Sequence, residues 1–314
     1  MTDRDAIRTV PAVCPLCRSE PLEPHARGRD FEYGTTGETE WTVRCCGGCG
    51  ILALSPRPSD EELARIYPES YYAYDFTSRR SIGYRVKELW DRRSVRAYRQ
   101  YTAGNVLDIG CGDGRLLKIF RRLGVSPDRL HGVELNDEAV RAARAHGFRV
   151  ERKRFEQTAY PSEFFHLVVL QQVIEHVPDP GGMIGELARI LAPGGAAVVE
   201  TPNTASWDHA LFRRRYWGGY HIPRHFFLFQ KRTLRALLER SGFDVVRVQS
   251  LPSPMFWIHS FHHAMAEKGF PSFLRRLFEP YPPNPLPLAL FTAADTFGRV
   301  LGITSNMRLV AVKR

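Results

Sequence analysis

The sequence predicts a doubly wound, mostly parallel seven-stranded α/β sheet, preceded by a small cysteine-bearing N-terminal unit. Three observations carry this expectation. From Asn105 onward, short apolar runs alternate with helix-patterned stretches, the mark of a parallel sheet with crossover helices. The first of these runs ends in a turn with glycine at alternate positions, Gly110, Gly112 and Gly114. Upstream, residues 11–54 show little helix pattern but hold two Cys-x-x-Cys pairs, several Gly and Pro, and β-prone runs such as Trp41-Thr42-Val43.

The elements follow in order. After Ser55-Pro56-Arg57-Pro58, Ser59 and Glu62 read as a capping box for a short helix ending near Pro68. The aromatic run Tyr71-Tyr72-Ala73-Tyr74 comes next, then a basic amphipathic helix from about Ile82 to Tyr101. Asn105–Ile109 is the first strand, and Arg115–Leu123 a helix stopped by Gly124. Leu130–Leu135 is the second strand; Asn136 caps the following helix, which Gly147 ends. Phe148–Glu151 is a third strand and His166–Val173 a fourth, with four successive apolar residues from Leu167. Pro180 opens a helix to about Leu191, and Pro193-Gly194-Gly195 turns into a fifth strand at Ala196–Glu200. A helix at Lys231–Ser241 leads to a sixth strand at Asp244–Gln249. Met307–Val312, after a long Pro- and Phe-rich excursion, closes the sheet as one antiparallel member.

Composition narrows the class. With 43% hydrophobic and 25% charged residues, the chain has the makings of an ordinary globular core. Its net charge of +10 favours an anionic partner, whether a phosphorylated small molecule, a nucleic acid or an acidic membrane surface. Neither a signal-peptide pattern nor an apolar run long enough to span a bilayer is seen, so a cytoplasmic, reducing location is expected. There, paired cysteines read as metal ligands. Cys14-Pro-Leu-Cys17 and Cys46-Gly-Gly-Cys49 are two knuckles separated by 28 residues. Tetrahedral zinc takes four thiolates from such paired turns, and a closed all-thiolate site is structural. Cys45 leaves one ligand's register open; Cys46 alone gives the two-residue gap.

The glycine turn is the most informative motif. A dinucleotide site would want G-x-G-x-x-G, with the third glycine where Arg115 stands. Here the spacing is G-x-G-x-G, with Asp108 two residues ahead and Glu134 closing the next strand, where such folds bind ribose hydroxyls. An acid before the turn suits an amino acid ammonium better than a pyrophosphate. On residues 106–114 (Val-Leu-Asp-Ile-Gly-Cys-Gly-Asp-Gly), 132–135 (Gly-Val-Glu-Leu), 167–180 and Leu-Ala-Pro-Gly-Gly at 191–195, the chain resembles the Rossmann-like class I S-adenosylmethionine-dependent methyltransferases over roughly 104–250.

That resemblance implies roles for individual residues. Gly110, Cys111, Gly112 and Gly114 would pass under the methionine and ribose, with Asp108 holding the ammonium. Glu134 would take the ribose hydroxyls, and Leu135 would pack on the adenine, whose edge Glu156 in Phe155-Glu156-Gln157 would cap. Gln171 and Gln172 would line the cofactor near the sulfonium. His166 departs from the acid usual at the start of strand four. The implied organisation is a zinc-ribbon-like domain at 1–56, a helical linker at 57–101, and a methyltransferase domain at 102–314 with insertions at 201–230 and 251–305. A ribbon joined to such a domain resembles bacterial enzymes that tailor polysaccharides and natural products. It is also similar to sugar C-methyltransferases, but the His- and acid-bearing stretch between their knuckles has no match in residues 18–44. O-methylation of a hydroxyl is therefore preferred.

Chemistry belongs at the C-terminal edge of the sheet. His176 follows strand four, and His221-Ile-Pro-Arg-His225 lies in the connection after strand five. His225 is the first candidate for base or acceptor ligand, with His176 beside it and Arg224 expected to meet an anionic acceptor group. The expected partner is a small-molecule acceptor, with peripheral membrane contact through 251–305 a further expectation. An RNA methyltransferase is the competing reading, against which the basic residues are dispersed and no stacking platform accompanies them.

Overall fold

The computed structural model describes residues 7–19, 22–68 and 91–314. The aromatic run at 71–74 and the first half of the expected basic helix lie outside the described residues, whereas 91–97 is helical. Among the described residues, five short strands precede the main domain: β1 (Thr9–Val10), β2 (Leu22–Gly28), β3 (Trp41–Cys46), β4 (Leu52–Leu54) and β5 (Arg57–Pro58). The main sheet comprises β6 (Asn105–Ile109), β7 (Leu130–Glu134), β8 (Arg149–Arg152), β9 (Phe165–Gln171), β10 (Leu191–Pro202), β12 (Phe243–Leu251) and β13 (Asn306–Lys313). The remaining strand, β11 (Phe227–Leu228), belongs elsewhere.

The seven strands run in the order β12-β13-β10-β9-β6-β7-β8, and β13 is antiparallel to both neighbours. This is the expected mostly parallel sheet with one reversed member. Both faces are buried, so the strands read as continuous apolar runs rather than alternating ones. Along β9, Leu167 and Val169 face a layer built on Leu116, Leu117, Phe120, Val140 and Ala143. Val168 and Leu170 face Met183, Leu187, Leu234 and Leu238 on the other side. Each such buried side chain contributes roughly 1.5–3 kcal/mol.

The expected helix signals act as written. Asn136 Oδ1 accepts from the Ala139 amide at 2.9 Å, and Asp179 Oδ1 from the Gly182 amide at 3.0 Å. Two details differ. Ser59 makes no side-chain cap for the short helical turn at Asp60–Ile66, because Glu62 is drawn to Arg8 (3.1 Å) and Arg65 (2.7 Å) instead. Strand β10 begins at Leu191 rather than Ala196, taking in Pro193-Gly194-Gly195 as an irregularity where its register on β9 shifts.

The N-terminal unit and the connection after β10 are interwoven. A second sheet of order β11-β4-β3-β2 pairs Phe227 and Leu228 with Ala53 and Leu52. The Arg27 amide donates to Arg214 O and the Leu54 amide to Phe226 O. One hydrophobic core accordingly runs from Cys14, Trp41 and Leu54 through Trp217 and Phe226–Phe229 to one face of the main sheet. The excursion 251–305 is helical at Pro254–Glu267, Ser272–Arg275 and Pro285–Leu301. Its first helix packs on the connection, where Gly218 donates its amide to Ser260 Oγ at 2.8 Å. The N-terminal unit, the connection and the excursion thus converge.

Candidate active site and cysteine cluster

The turn after β6 holds Gly110, Gly112 and Gly114 at φ +73°, +53° and +76°, a region costly for side chains. A Cβ at Gly110 or Gly114 would also press within 2.9 Å of Val173 or Phe148. A Cβ at Gly112 would meet nothing within 4 Å, so this is the turn's open point of approach. Glu134, ending β7, braces the turn: its carboxylate accepts from the amides of Gly112 (2.9 Å), Leu135 (2.7 Å) and Asn136 (3.0 Å). The Cys111 side chain is buried against Gly132, leaving only its backbone to the turn. Leu135 stands 54% exposed beside Glu134, an apolar surface at the rim on which a flat ring could lie.

Asp108 is buried beneath the turn, and that burial pushes its carboxyl up to about 8, against the pull of Arg115. Arg115 itself pairs with Asp91. Burial thus favours the protonated form of Asp108 at neutral pH. Glu156 lies in the helical turn Phe155–Gln157 and pairs with Arg154 at 3.6 Å. Gln171 and Gln172 join a polar network at the ends of β9, β10 and β13. Gln171 donates to Glu200 at 3.2 Å and Gln172 to Asn306 Oδ1 at 3.1 Å, while Arg308 pairs with Glu200 at 2.7 Å. Gln172 sits at φ +54°, its amide fixed on Glu200 O at 2.8 Å; the sharp exit it makes from β9 leads directly to Glu175 and His176.

There the histidines gather. The rings of His176 and His225 lie 4.6 Å apart, with His221 5.0 Å from His225. His225 Nδ1 is 2.8 Å from Gly219 O. A carbonyl only accepts, so Nδ1 carries the proton and Nε2 keeps its lone pair. Burial holds His225 well below the ordinary histidine range and lowers His176 to about 3, so both are neutral at pH 7. Tyr67 Oη and Arg224 O flank His176 Nδ1 at 2.8 and 3.0 Å. Sequence reasoning passed over Glu175, which completes the group. Its Oε2 accepts from Thr201 Oγ1 at 2.8 Å, its Oε1 is buried without a hydrogen-bond partner among the described residues, and burial raises the carboxyl to about 8. One atom from each of Glu175, His176 and His225 falls within 4.8 Å of the others. Its signal was available: Glu175 sits three residues past the Gln172 exit, next to His176.

Arg224 is placed otherwise than expected. Its guanidinium is fully buried and spans Asp30 through bonds of 3.1 and 2.9 Å, with further donors going to Ile66 O, Ile222 O and Thr35 Oγ1. Those partners occupy the fork, which leaves the anionic-acceptor role without a free donor edge.

In the N-terminal unit, the sulfurs of Cys14, Cys17, Cys46 and Cys49 all lie within 4.8 Å of one another, Cys14 and Cys49 being 3.5 Å apart. A tetrahedral ion with bonds near 2.3 Å needs sulfur edges of roughly 3.8 Å, which this cluster can meet with small adjustments. Neighbours on a strand point to opposite faces, so on β3 Cys46 joins the cluster and Cys45 does not.

Comparison with known proteins agrees with this geometry. Residues 78–248, more than half the chain, match the methyltransferase domain family. A ubiquinone biosynthesis O-methyltransferase of Xanthomonas oryzae pv. oryzae is 35% identical over 128 residues, 37% of this chain and 51% of that one. One from Bradyrhizobium sp. is 37% identical over 103 residues, 31% of this chain and 40% of that one. The chain thus spans about half or less of the curated relatives it matches. Among solved structures, an S-adenosylmethionine-dependent methyltransferase from Archaeoglobus fulgidus shares the fold, with a TM-score of 0.50 at 19% identity over 78% of this chain and all of that one. With its sheet order, its glycine turn braced by Glu134 and this family match, the chain belongs to the class I S-adenosylmethionine-dependent methyltransferases.

Proposed function

We propose that this methyltransferase acts on a hydroxyl of a small molecule, such as a sugar, a glycolipid or a natural product, with His225 receiving the hydroxyl proton. The observation that carries the reading is the His225 ring, whose Nδ1 proton is committed to Gly219 O and which belongs to the Glu175–His176–His225 group at the exit of β9. S-adenosylmethionine, when bound, supplies the electrophilic methyl and a neutral leaving group. Asp108 and Glu134 would hold its ammonium and ribose ends and the Gly110–Gly114 turn its middle. The acceptor hydroxyl would donate to His225 Nε2. A histidine held far below its ordinary range remains an adequate base here, because an oxygen gaining a methyl becomes a strongly acidic oxonium as its new bond forms. His176 would orient the ring of His225, and Arg224 would fix the loop that carries His225 through Asp30. The O-methyltransferase names of the partial relatives support hydroxyl chemistry.

His225→Gln should lower kcat about a hundredfold to ten-thousandfold, with S-adenosylhomocysteine affinity preserved. The assay is formation of S-adenosylhomocysteine over a panel of sugar, glycolipid and phenolic acceptors. Turnover unchanged by the substitution removes His225 from the mechanism. RNA binding that falls steeply with salt would favour the RNA reading instead.

The cysteine cluster, in our reading, holds one structural zinc ion. A unit of this size has little core of its own and would draw folding energy from the metal. Cys46→Ser is expected to lose the thiolate-bound ion and unfold the N-terminal unit, whereas Cys45→Ser should retain it. Metal content per chain checks both, and equal loss in the two variants would place the fourth ligand wrongly. The expected lipid contact also has support: the helix Pro285–Leu301 exposes Leu286, Leu290, Phe297 and Val300, with Arg276 and Arg299 exposed nearby.

A further inference from the structure

A second cluster of metal-ligating residues lies apart from the cysteines. His259 and His263 are one turn apart on the helix Pro254–Glu267, a spacing that presents two imidazoles on one face. Glu32 comes to them from the loop between β2 and β3. One ring nitrogen of each histidine and one carboxylate oxygen of Glu32 lie within 4.8 Å of one another. The group is nearly closed to solvent, at 6% exposure for His259, 4% for His263 and 8% for the Glu32 side chain.

Two features make this more than a packed polar corner. Among the described residues, His259 Nδ1 and His263 Nε2 are buried without a hydrogen-bond partner, a deficit of about 1–3 kcal/mol for each group. The carboxylate beside them is a buried anion whose ion-pair partner, among the described residues, is an imidazole, His221 Nδ1 at 2.8 Å from Glu32 Oε1. Uncompensated, a buried carboxylate is costly. Two imidazoles and one carboxylate drawn together in this way are what a divalent ion satisfies.

The surroundings are those of metal ligands, whose remaining ring nitrogens are generally oriented by a second partner. His259 Nε2 is 3.3 Å from Tyr281 Oη, the Tyr216 backbone engages His263, and Phe31 stacks on the His263 ring at 5.1 Å between centroids. We propose that Glu32, His259 and His263 bind a divalent first-row transition-metal cation, separate from the ion of the four thiolates. Two imidazoles and one carboxylate suit zinc, cobalt or iron(II), and leave coordination positions for water or another oxygen ligand. The ion would tie the loop after β2 to the excursion helix. Through Glu32 it would also set the orientation of His221, whose ring stands 5.0 Å from that of His225.

The test is metal stoichiometry on the full chain. We expect two metal equivalents per chain, one resisting mild chelation in the thiolate cluster and one released. Refilling the released site with Co2+ should give weak visible d–d bands without the thiolate charge-transfer absorption of the cysteine site. Glu32→Gln and His263→Gln should each weaken Co2+ binding at least tenfold while keeping the thiolate-bound equivalent. A wild-type chain that holds a single equivalent and takes up no further Co2+ overturns the proposal, whatever the variants do. Co2+ uptake unchanged in both variants overturns it as well.

Discussion

Arg224→Ala is expected to lower the thermal midpoint by roughly 5–10 °C, a consequence of losing about 3–5 kcal/mol when one partner of a buried ion pair is removed. The magnitude follows from what is left behind. Asp30 is buried, and its carboxylate accepts from the Tyr33 and Thr35 amides as well as from Arg224. Burial works against its charge, and Arg224, helped by Thr35 and the Tyr33 amide, outweighs burial and holds the carboxyl below its ordinary value. Without the guanidinium the carboxylate must ionise unpaired or take up a proton. Arg224→Lys should recover only part of the loss, because an ammonium cannot span both Asp30 oxygens while reaching Ile66 O. Replacing both partners by apolar residues of similar volume should be milder than either single change. The measurement is a thermal melt of each variant alongside its S-adenosylhomocysteine affinity. A normal midpoint with weakened acceptor binding would return Arg224 to the acceptor-binding role expected from the sequence.

That contrast shows where sequence reasoning reaches and where it stops. The main sheet was legible because its signals are local. Four apolar residues from Leu167, the cap at Asn136 and the glycines after β6 each act within a few positions. The candidate cofactor residues share this quality, since the Gly112 amide and the Glu134 carboxylate meet through adjacent parallel strands. Arg224 read as a cation for an anionic acceptor because an arginine is rarely buried unless paired, and its pair stands 194 positions away. Strand β11 has two residues and no period to detect; only its pairing with β4 gives it meaning. Glu32 and Glu175 are lone acids in sequence, and each gains its chemistry from histidines that the fold delivers. The capping box at Ser59 was a sound local pattern overruled by Arg8, which offers Glu62 a charge instead of an amide. The candidate cofactor residues are thus neighbours in sequence or across adjacent strands, while the candidate acceptor side is assembled from distant stretches.

The cofactor side yields a pH dependence whose sign can be worked out. The Asp108 carboxyl is held at about 8 in the folded protein, against roughly 3.9 in an unfolded chain. A carboxyl raised on folding binds more protons in the native state, so its effect on stability is most favourable below the unfolded value. That contribution is lost as pH climbs from about 4 through 8. An ammonium placed against Asp108 favours the ionised form, so binding must expel the proton. Affinity for S-adenosylhomocysteine is therefore expected to rise about tenfold per pH unit from pH 6 until the titration near 8 is complete. Above that, the ligand's own amine loses its charge and the gain stops. Asp108→Asn should flatten the profile, bind at least tenfold more weakly at pH 8, and melt at a higher temperature than wild type there, since the buried acid is gone. Calorimetric titration in buffers of different ionisation enthalpy reads the released proton directly. Uptake of a proton, or equal slopes in both proteins, would mean that the ammonium is held elsewhere and that Asp108 serves the turn alone.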